Sequence, residues 1–358
     1  MSGLAAIVSD VERSVSLSSQ ISTLARRMAR RGPHGQGQRI LGHVGLLNLR
    51  FDDGSPDADP VGPWCLRPDG PTLTGDLSIL NADALCEATQ THASGQAAAV
   101  LSAYDRWGID AIERFEGEFA FVLWDPANRL LWAARDRFGI RPLAYRQTAR
   151  ALCIASEAAA LAEPTDRPSA VWIAEYLSGQ ECDETLTPYE GIHRLAAGHM
   201  MTSRGGEISI RRWWSLEPEE MAPMQAPQAL AERLQTAVDL RTPPRAATFL
   251  SGGLDSSSLT CLNALGRSVP VRAYSMRYPD MPDLDEGVFI DLVRAQPNVE
   301  GRDILPRQGL ALAHPERMLS EQGQPIQGIN LATMRQALDH VAADGVRVIV
   351  DGHGGDEV

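Results

Sequence analysis

Two short segments of this 358-residue chain carry residues whose types and spacing could do chemistry. The first is Ser251-Gly252-Gly253-Leu254-Asp255-Ser256-Ser257, which follows the apolar run Ala246–Leu250. It opens a stretch with helical grammar, Ser256–Leu265, that stops at Gly266. Gly252 and Gly253 let the backbone turn tightly and present N–H groups with no side chain in the way. Ser251, Ser256 and Ser257 add hydroxyl donors, and a helix N-terminus adds the positive end of its dipole. Together they form a cradle for a phosphate chain. Asp255 repels phosphate unless a cation intervenes, so it implies Mg²⁺. The loop is not a Walker A loop, which needs a lysine, because all 33 basic residues are arginine. No lysine can act here as a base, a Schiff-base amine or a phosphate-binding ammonium. The second segment is Asp351-Gly352-His353-Gly354-Gly355-Asp356-Glu357, which follows the strongly β run Val346–Val350.

The elements around these loops predict an α/β half. Strand-like runs at Ala246–Leu250, Val271–Met276 and Val346–Val350 alternate with helical stretches at Glu286–Ala295, Leu310–Leu319 and Leu331–Ala343. Such alternation predicts a parallel sheet with helices on its faces, and ligands there bind beyond the carboxyl ends of strands. Both glycine-rich loops fall at such ends. The first half has another rhythm. Phe119–Trp124 and Leu130–Ala134 are apolar runs joined by Asp125-Pro126-Ala127-Asn128, and Leu143–Arg146 and Ala151–Ser156 continue the pattern. With helices expected over Val15–Arg30 and Ala97–Trp107, the reading is an antiparallel-rich α+β domain over 1–212. Proline and acid concentrate over 213–227, which places a linker there and a second domain over 228–358.

Composition narrows the classes. Hydrophobic residues at 44% and charged residues at 22% argue against wholesale disorder. A net charge of −13 argues against a nucleic-acid partner. No apolar run approaches the ~18 residues that span a bilayer, and the N-terminus reads as no signal peptide, so no membrane is expected. Five scattered cysteines without a CxxC predict neither a disulfide framework nor a zinc site, and a cytoplasmic location.

Ser251–Ser257 resembles the PP-loop of ATP pyrophosphatases, which split ATP between its α- and β-phosphates. Asp351–Glu357 resembles the GxGxDE loop of the asparagine synthetase superfamily. Arg31-Gly32-Pro33-His34-Gly35, Phe119–Asp125, Ala134–Gly139, Ile154–Glu157 and Asp283–Glu286 resemble further motifs of the same superfamily, so the resemblance covers essentially the whole chain. It implies an N-terminal nucleophile-type, glutamine amidotransferase-like α+β domain with antiparallel sheets layered with helices. An α/β PP-loop ATP pyrophosphatase domain with a parallel sheet, incomplete here, follows. The implied chemistry is adenylation of a carboxylate, release of pyrophosphate and attack by an amine. ATP contacts carried over by the resemblance are Leu250, Ser251, Gly252, Gly253, Asp255, Ser256, Ser257, Ser275, Met276 and Gly352. Asp255 and Asp356 are the candidates to hold Mg²⁺, since two carboxylates with a metal can neutralise the departing pyrophosphate.

Departures from asparagine synthetase are informative. The superfamily's glutaminase uses a cysteine at the place of Ser2. Its glutamine-binding arginine falls where Val44 and Gly45 stand, its oxyanion asparagine aligns with Thr74 of Thr74-Gly75-Asp76, and its pocket aspartate aligns near Gly95-Gln96. Ser2, Thr74 and Asp76 thus mark a degenerate glutaminase. His353 replaces the usual glutamate and resembles lasso-peptide cyclases, which close a macrolactam between a peptide's N-terminal amine and an Asp or Glu side chain. A neutral imidazole there could take the proton from the attacking amine, making His353 the catalytic candidate. His34, His43, His92, His193 and His199 have no such context. The implied substrates are a peptide or small-molecule carboxylate and an amine. A leader-binding protein and a protease are the implied cluster partners. Asparagine synthesis from ammonia and a non-catalytic nucleotide-binding fragment are the alternatives. The superfamily continues beyond this loop with helices and a pyrophosphate-stabilising lysine, so the sequence is expected to be truncated.

Overall fold

The computed structural model describes residues 1–9, 14–54, 59–180, 183–218, 226–243, 245–306, 315–325 and 331–354. The chain forms two compact units, Met1–Glu217 and Pro218–Val358.

The first unit begins with β1 (Gly3–Ser9), α1 (Ser14–Arg27), β2 (Gln36–Leu41), β3 (Val44–Leu49), β4 (Trp64–Cys65) and β5 (Thr72–Ile79). It continues with α2 (Ala82–Thr89), α3 (Gln96–Trp107), β6 (Gly117–Asp125), β7 (Leu130–Arg135), β8 (Ala144–Gln147) and β9 (Ala151–Ala155). α4 (Ala158–Leu161), α5 (Ala170–Ser178), β10 (Ile192–Arg194), β11 (His199–Arg204) and β12 (Glu207–Arg212) complete it. The strands form two antiparallel six-stranded sheets, in the orders β10-β8-β9-β1-β3-β2 and β12-β11-β7-β6-β5-β4.

Burial explains why these strands read as continuous apolar runs rather than alternating ones. One face of each sheet packs on the other sheet, where Leu4, Ala6, Val44 and Leu46 meet Ala120, Val122, Leu131 and Ala133. The outer face of the first sheet is covered by α1 and α4, with Ala5, Ile7, Leu47 and Leu49 against Leu17, Ile21, Leu24 and Met28. Leu17, Ile21 and Leu24 of α1, with Met28 just past its end, recur at helical spacing and make one apolar stripe. The second sheet is covered by α2 and α3, with Phe119, Phe121, Leu123 and Trp132 against Leu85, Val100, Leu101 and Tyr104. The result is helix, sheet, sheet, helix. Each fully buried side chain of this kind contributes about 1.5–3 kcal/mol.

Asp136 fixes the turn after β7. Its buried carboxylate accepts from the N–H groups of Phe119, Phe138, Ile140 and Arg141 at 2.9–3.3 Å. Trp213, expected at the start of a linker, instead stacks on Phe119 at 6.1 Å and donates its ring N–H to the Arg135 carbonyl. Trp214 packs on Phe138, so both tryptophans belong to the first unit.

The second unit contains α6 (Ala226–Arg241), β13 (Ala247–Phe249), α7 (Leu254–Ala264), β14 (Val271–Met276) and α8 (Gly287–Arg294). β15 (Val299–Ile304), α9 (Pro315–Gln322), α10 (Leu331–Ala343) and β16 (Ile349–Val350) follow. Its four strands are all parallel, in the order β15-β14-β13-β16. Ala337 and Val341 of α10 pack on one face with Ala247, Tyr274 and Ile304. Leu250, Ala273, Ile290 and Val293 cluster on the other. Three details differ from expectation. α7 starts at Leu254, two residues early, because Gly253 takes the extended conformation of an N-cap. Only Ile349–Val350 of the expected 346–350 run pairs as strand. β15 carries no apolar signal, because Val299–Ile304 is an edge strand whose middle four residues are exposed.

Candidate functional site

The strand order creates the site. The chain runs from β13 through β14 to β15 in one direction, then returns to place β16 on the opposite side of β13. A crevice opens at such a reversal, outside the carboxyl ends of the two diverging strands. The segments leaving β13 and β16 are the two glycine-rich loops. They touch: a Cβ on Gly352 would stand 3.0 Å from Asp255 Cβ and 3.0 Å from the Ser256 backbone nitrogen. Only a glycine lets the second loop lie this close to the first turn of α7.

The first loop is shaped by its own hydroxyls. Ser256 Oγ accepts from Ser251 N–H at 3.2 Å, donates to the Gly253 carbonyl at 3.2 Å and lies 3.0 Å from Ser251 Oγ. Ser251 Oγ in turn accepts from Gly253 N–H at 3.2 Å. The buried Ser256 hydroxyl therefore braces the loop itself. Gly252 has φ +96°, a region that favours glycine, and a Cβ there would press on Glu286 and Phe289 at 3.1–3.2 Å. The first N–H groups of α7 have no intrahelical partner by geometry, and they point out of this turn.

Asp255 stands in that first turn, half-buried, and its carboxylate makes no hydrogen bond or ion pair among the described residues. An unpaired carboxylate beside free helix N–H groups suits Mg²⁺, which binds through one or two carboxylates and takes its other ligands from phosphate and water. Asp356 lies outside the described residues. Among the described residues no three His, Cys, Asp or Glu side chains gather as metal ligands. Leu250, Ser275 and Met276 sit at or just past the carboxyl ends of β13 and β14. Ser275 is 1% exposed and its Oγ has no partner. His353 is largely exposed, with Nδ1 3.2 Å from Asp351 Oδ2.

Sequence reasoning missed Arg277. It follows β14 directly and pairs with Asp285 at 3.0 Å and Asp291 at 3.4 Å, which anchors the start of α8 where Glu286 meets Gly252. The Asp285 contact raises its already high pKa further. A lone cation after a strand, followed by five acids within fourteen residues, was the available signal.

In the first unit the expected glutaminase positions come together, refitted. Ser2 Oγ accepts from Phe51 N–H at 3.1 Å. Thr74, fully buried, donates its hydroxyl to the Leu47 carbonyl at 2.6 Å. Burial pushes the Asp76 carboxyl above its ordinary range, against the pull of Arg141, whose Nη1 lies 3.8 Å away. Val44 is buried in the inter-sheet core, and a Cβ on Gly45 would meet Ile21 at 2.8 Å. At the start of α3, Asp59 Oδ2 accepts from Ala97 N–H at 2.9 Å. Asp59 Oδ1 would stand 2.3 Å from a Cβ on Gly95, whose φ is +99°. Burial also raises the Asp59 pKa, opposed by its backbone donors. Four other histidines have structural partners: His43 packs on Trp124 and His193 on Tyr145, His34 Nδ1 accepts from Asp52 N–H, and His199 Nδ1 lies 2.8 Å from the Ala197 carbonyl.

A family model described as a glutamine amidotransferase domain matches residues 1–214, and one described as asparagine synthase matches residues 229–358. The chain belongs to the asparagine synthetase superfamily, with a glutamine amidotransferase domain at its front. Amidase chyE of Penicillium rubens is 30% identical over 285 residues, covering 72% of this chain and 42% of the relative. Amidase chry2 of Gibberella zeae is 26% identical, covering 94% of this chain and 54% of the relative. Asparagine synthetase [glutamine-hydrolyzing] 3 of Bacillus subtilis is 29% identical, covering 56% and 34%. The chain thus spans about half the length, or less, of these relatives. No helix among the described residues is long and apolar enough to cross a membrane.

Proposed function

We propose that the protein bearing this chain is an ATP-dependent, AMP-forming amide ligase that closes a lasso-type macrolactam. One observation carries the ligase reading: the two glycine-rich loops meet at the strand reversal, with Gly352 against Asp255 and Ser256. A carboxylate is a poor electrophile, and its acyl-adenylate has a good leaving group. The α7 N-terminus and the Ser251–Ser257 backbone bind the phosphates of ATP. Asp255, with Asp356, holds Mg²⁺, which when bound neutralises the charge of departing pyrophosphate. His353 removes the proton from the attacking amine. The amine comes from the peptide itself, a reading supported by Thr74, Gly45 and Gly95, which stand where the superfamily's glutaminase residues would and are held by the Leu47 carbonyl, Ile21 and Asp59 respectively. The amidase relatives match more of this chain than the asparagine synthetase does, which favours a product other than asparagine. A leader-binding protein and a cysteine protease are the proposed partners, and the cytoplasm the proposed compartment.

The test is product analysis. Purified protein, Mg²⁺ and ATP are incubated with a synthetic peptide bearing a free N-terminal amine and an internal Asp or Glu. AMP, pyrophosphate and a peptide lighter by one water support the reading. Asparagine formed from aspartate and ammonium would replace the macrolactam with the second reading, which the Bacillus subtilis relative favours. ATP binding without pyrophosphate from either substrate would leave a nucleotide-binding module.

A further inference from the structure

We propose that Asp351 is the positioning residue that sets the orientation and tautomer of His353. This inference rests on the reading of His353 as the base that serves the attacking amine. Asp351 is the first residue past β16, so its carboxylate is placed by a paired strand of the sheet. The next residue, Gly352, is pinned against Asp255 and Ser256. From this anchored position the carboxylate holds His353 twice. Oδ1 accepts the His353 backbone N–H at 3.2 Å, and Oδ2 lies 3.2 Å from the ring Nδ1.

An ionised carboxylate only accepts hydrogen bonds, so the ring nitrogen that faces it must carry the proton. In a neutral imidazole one nitrogen donates and the other accepts, which leaves the Nε2 lone pair free. A histidine in water favours the opposite tautomer, with the proton on Nε2. That form would present a hydrogen-bond donor to an amine that needs a base. The backbone contact adds a second constraint, because it fixes the main chain of the residue whose ring the same carboxylate orients. His353 is 74% exposed, so no packing does this in place of Asp351. The device resembles the carboxylate of a Ser-His-Asp triad in principle, where a carboxylate fixes the imidazole rather than taking its proton.

The test reads the tautomer directly and needs no substrate. Protein labelled with ¹⁵N in its histidine rings is compared as wild type, Asp351→Ala, Asp351→Asn and His353→Ala, the last to identify the His353 signals by difference. In the neutral ring of wild type, reached by raising the pH, the proton should sit on Nδ1. Asp351→Ala should move that proton toward Nε2, and Asp351→Asn, whose amide oxygen can still accept, should restore part of the wild-type pattern. In the coupled assay, Asp351→Ala should leave pyrophosphate release within about three-fold and slow amide formation by ten-fold or more, approaching the ~10²–10⁴ of removing a general base. An unchanged tautomer in Asp351→Ala overturns the proposal while leaving His353 as the base. Amide formation unchanged in Asp351→Ala but impaired in His353→Ala does the same. Amide formation unchanged in His353→Ala would instead sink the base reading, and the proposal with it.

Discussion

Gly352→Ala tests the meeting of the two loops most directly. The added Cβ would stand 3.0 Å from Asp255 Cβ and from the Ser256 nitrogen. Carbon pairs are most favourable at about 3.5–4.0 Å, so the loops must part by a few tenths of an ångström, up to about 0.5 Å. Overpacking of that kind costs about 1–3 kcal/mol. The atoms that must part are the carboxylate stem proposed for Mg²⁺ and a helix N–H proposed for phosphate. A misplacement near 1 Å in a reacting geometry costs a factor of about 10². Gly352→Ala should therefore keep its circular dichroism spectrum, melt a few degrees lower and release pyrophosphate about 10–100 times more slowly than wild type. Gly354→Ala separates crowding from backbone strain. Gly354 has φ +92°, but a Cβ there meets nothing within 4 Å. Its cost is the left-handed backbone alone, about 1–2 kcal/mol, and its activity should fall less. Wild-type melting and wild-type pyrophosphate release in Gly352→Ala would refute the reasoning, because the loops could not then lie as close as described.

Three further outcomes are expected. Calorimetric titration should find ATP bound about ten-fold tighter with Mg²⁺ than without in wild type, a gain worth about 1.4 kcal/mol, and no such gain in Asp255→Asn; equal affinities in all four cases rule the metal role out. Glutamate release from glutamine should stay at background, also in Gly95→Asp, whose new side chain collides with Asp59; turnover near ~1 s⁻¹ would contradict this. Asp76→Asn should melt above wild type at neutral pH, with the difference shrinking as pH falls toward about 4. The sign follows from burial: the folded state holds the Asp76 proton more firmly than the unfolded chain does, so the ionised group costs stability once pH rises through its elevated pKa. A lower melting temperature at neutral pH would mean that the Arg141 contact outweighs burial.

The second unit was legible where local signals agree with tertiary demands. Val271–Met276 and Leu331–Ala343 have the expected bounds, because an apolar strand and an apolar helical stripe both face the core. Val299–Ile304 was invisible because an edge strand can pair through its backbone while its side chains stay in water. The bracing role of the Ser256 hydroxyl was not legible either. Spacing places it at the mouth of a phosphate cradle, and only the fold shows its bonds to the Ser251 N–H and the Gly253 carbonyl. Sequence order also cannot reveal that β16 returns beside β13 rather than beyond β15, and that return is what makes one crevice out of two distant loops.

The first unit shows why an eroded site is more than a set of missing residues. Thr74, Gly45 and Gly95, which stand where the superfamily's glutaminase residues would, are each closely packed or hydrogen-bonded. Thr74 cannot offer a donor to an oxyanion, because its hydroxyl satisfies the buried carbonyl of Leu47. An arginine at Gly45 would be driven into Ile21 and Leu17 of α1 rather than toward a ligand. A carboxylate at Gly95 would meet Asp59, already hydrogen-bonded to the N–H of Ala97 at the head of α3. Sequence alone showed the losses, because each is a change of residue type at a recognisable place. It could not show Asp59, which lies 36 positions before Gly95 and reaches α3 only through the fold. The three contacts are separate, so reverting one leaves the other two in place.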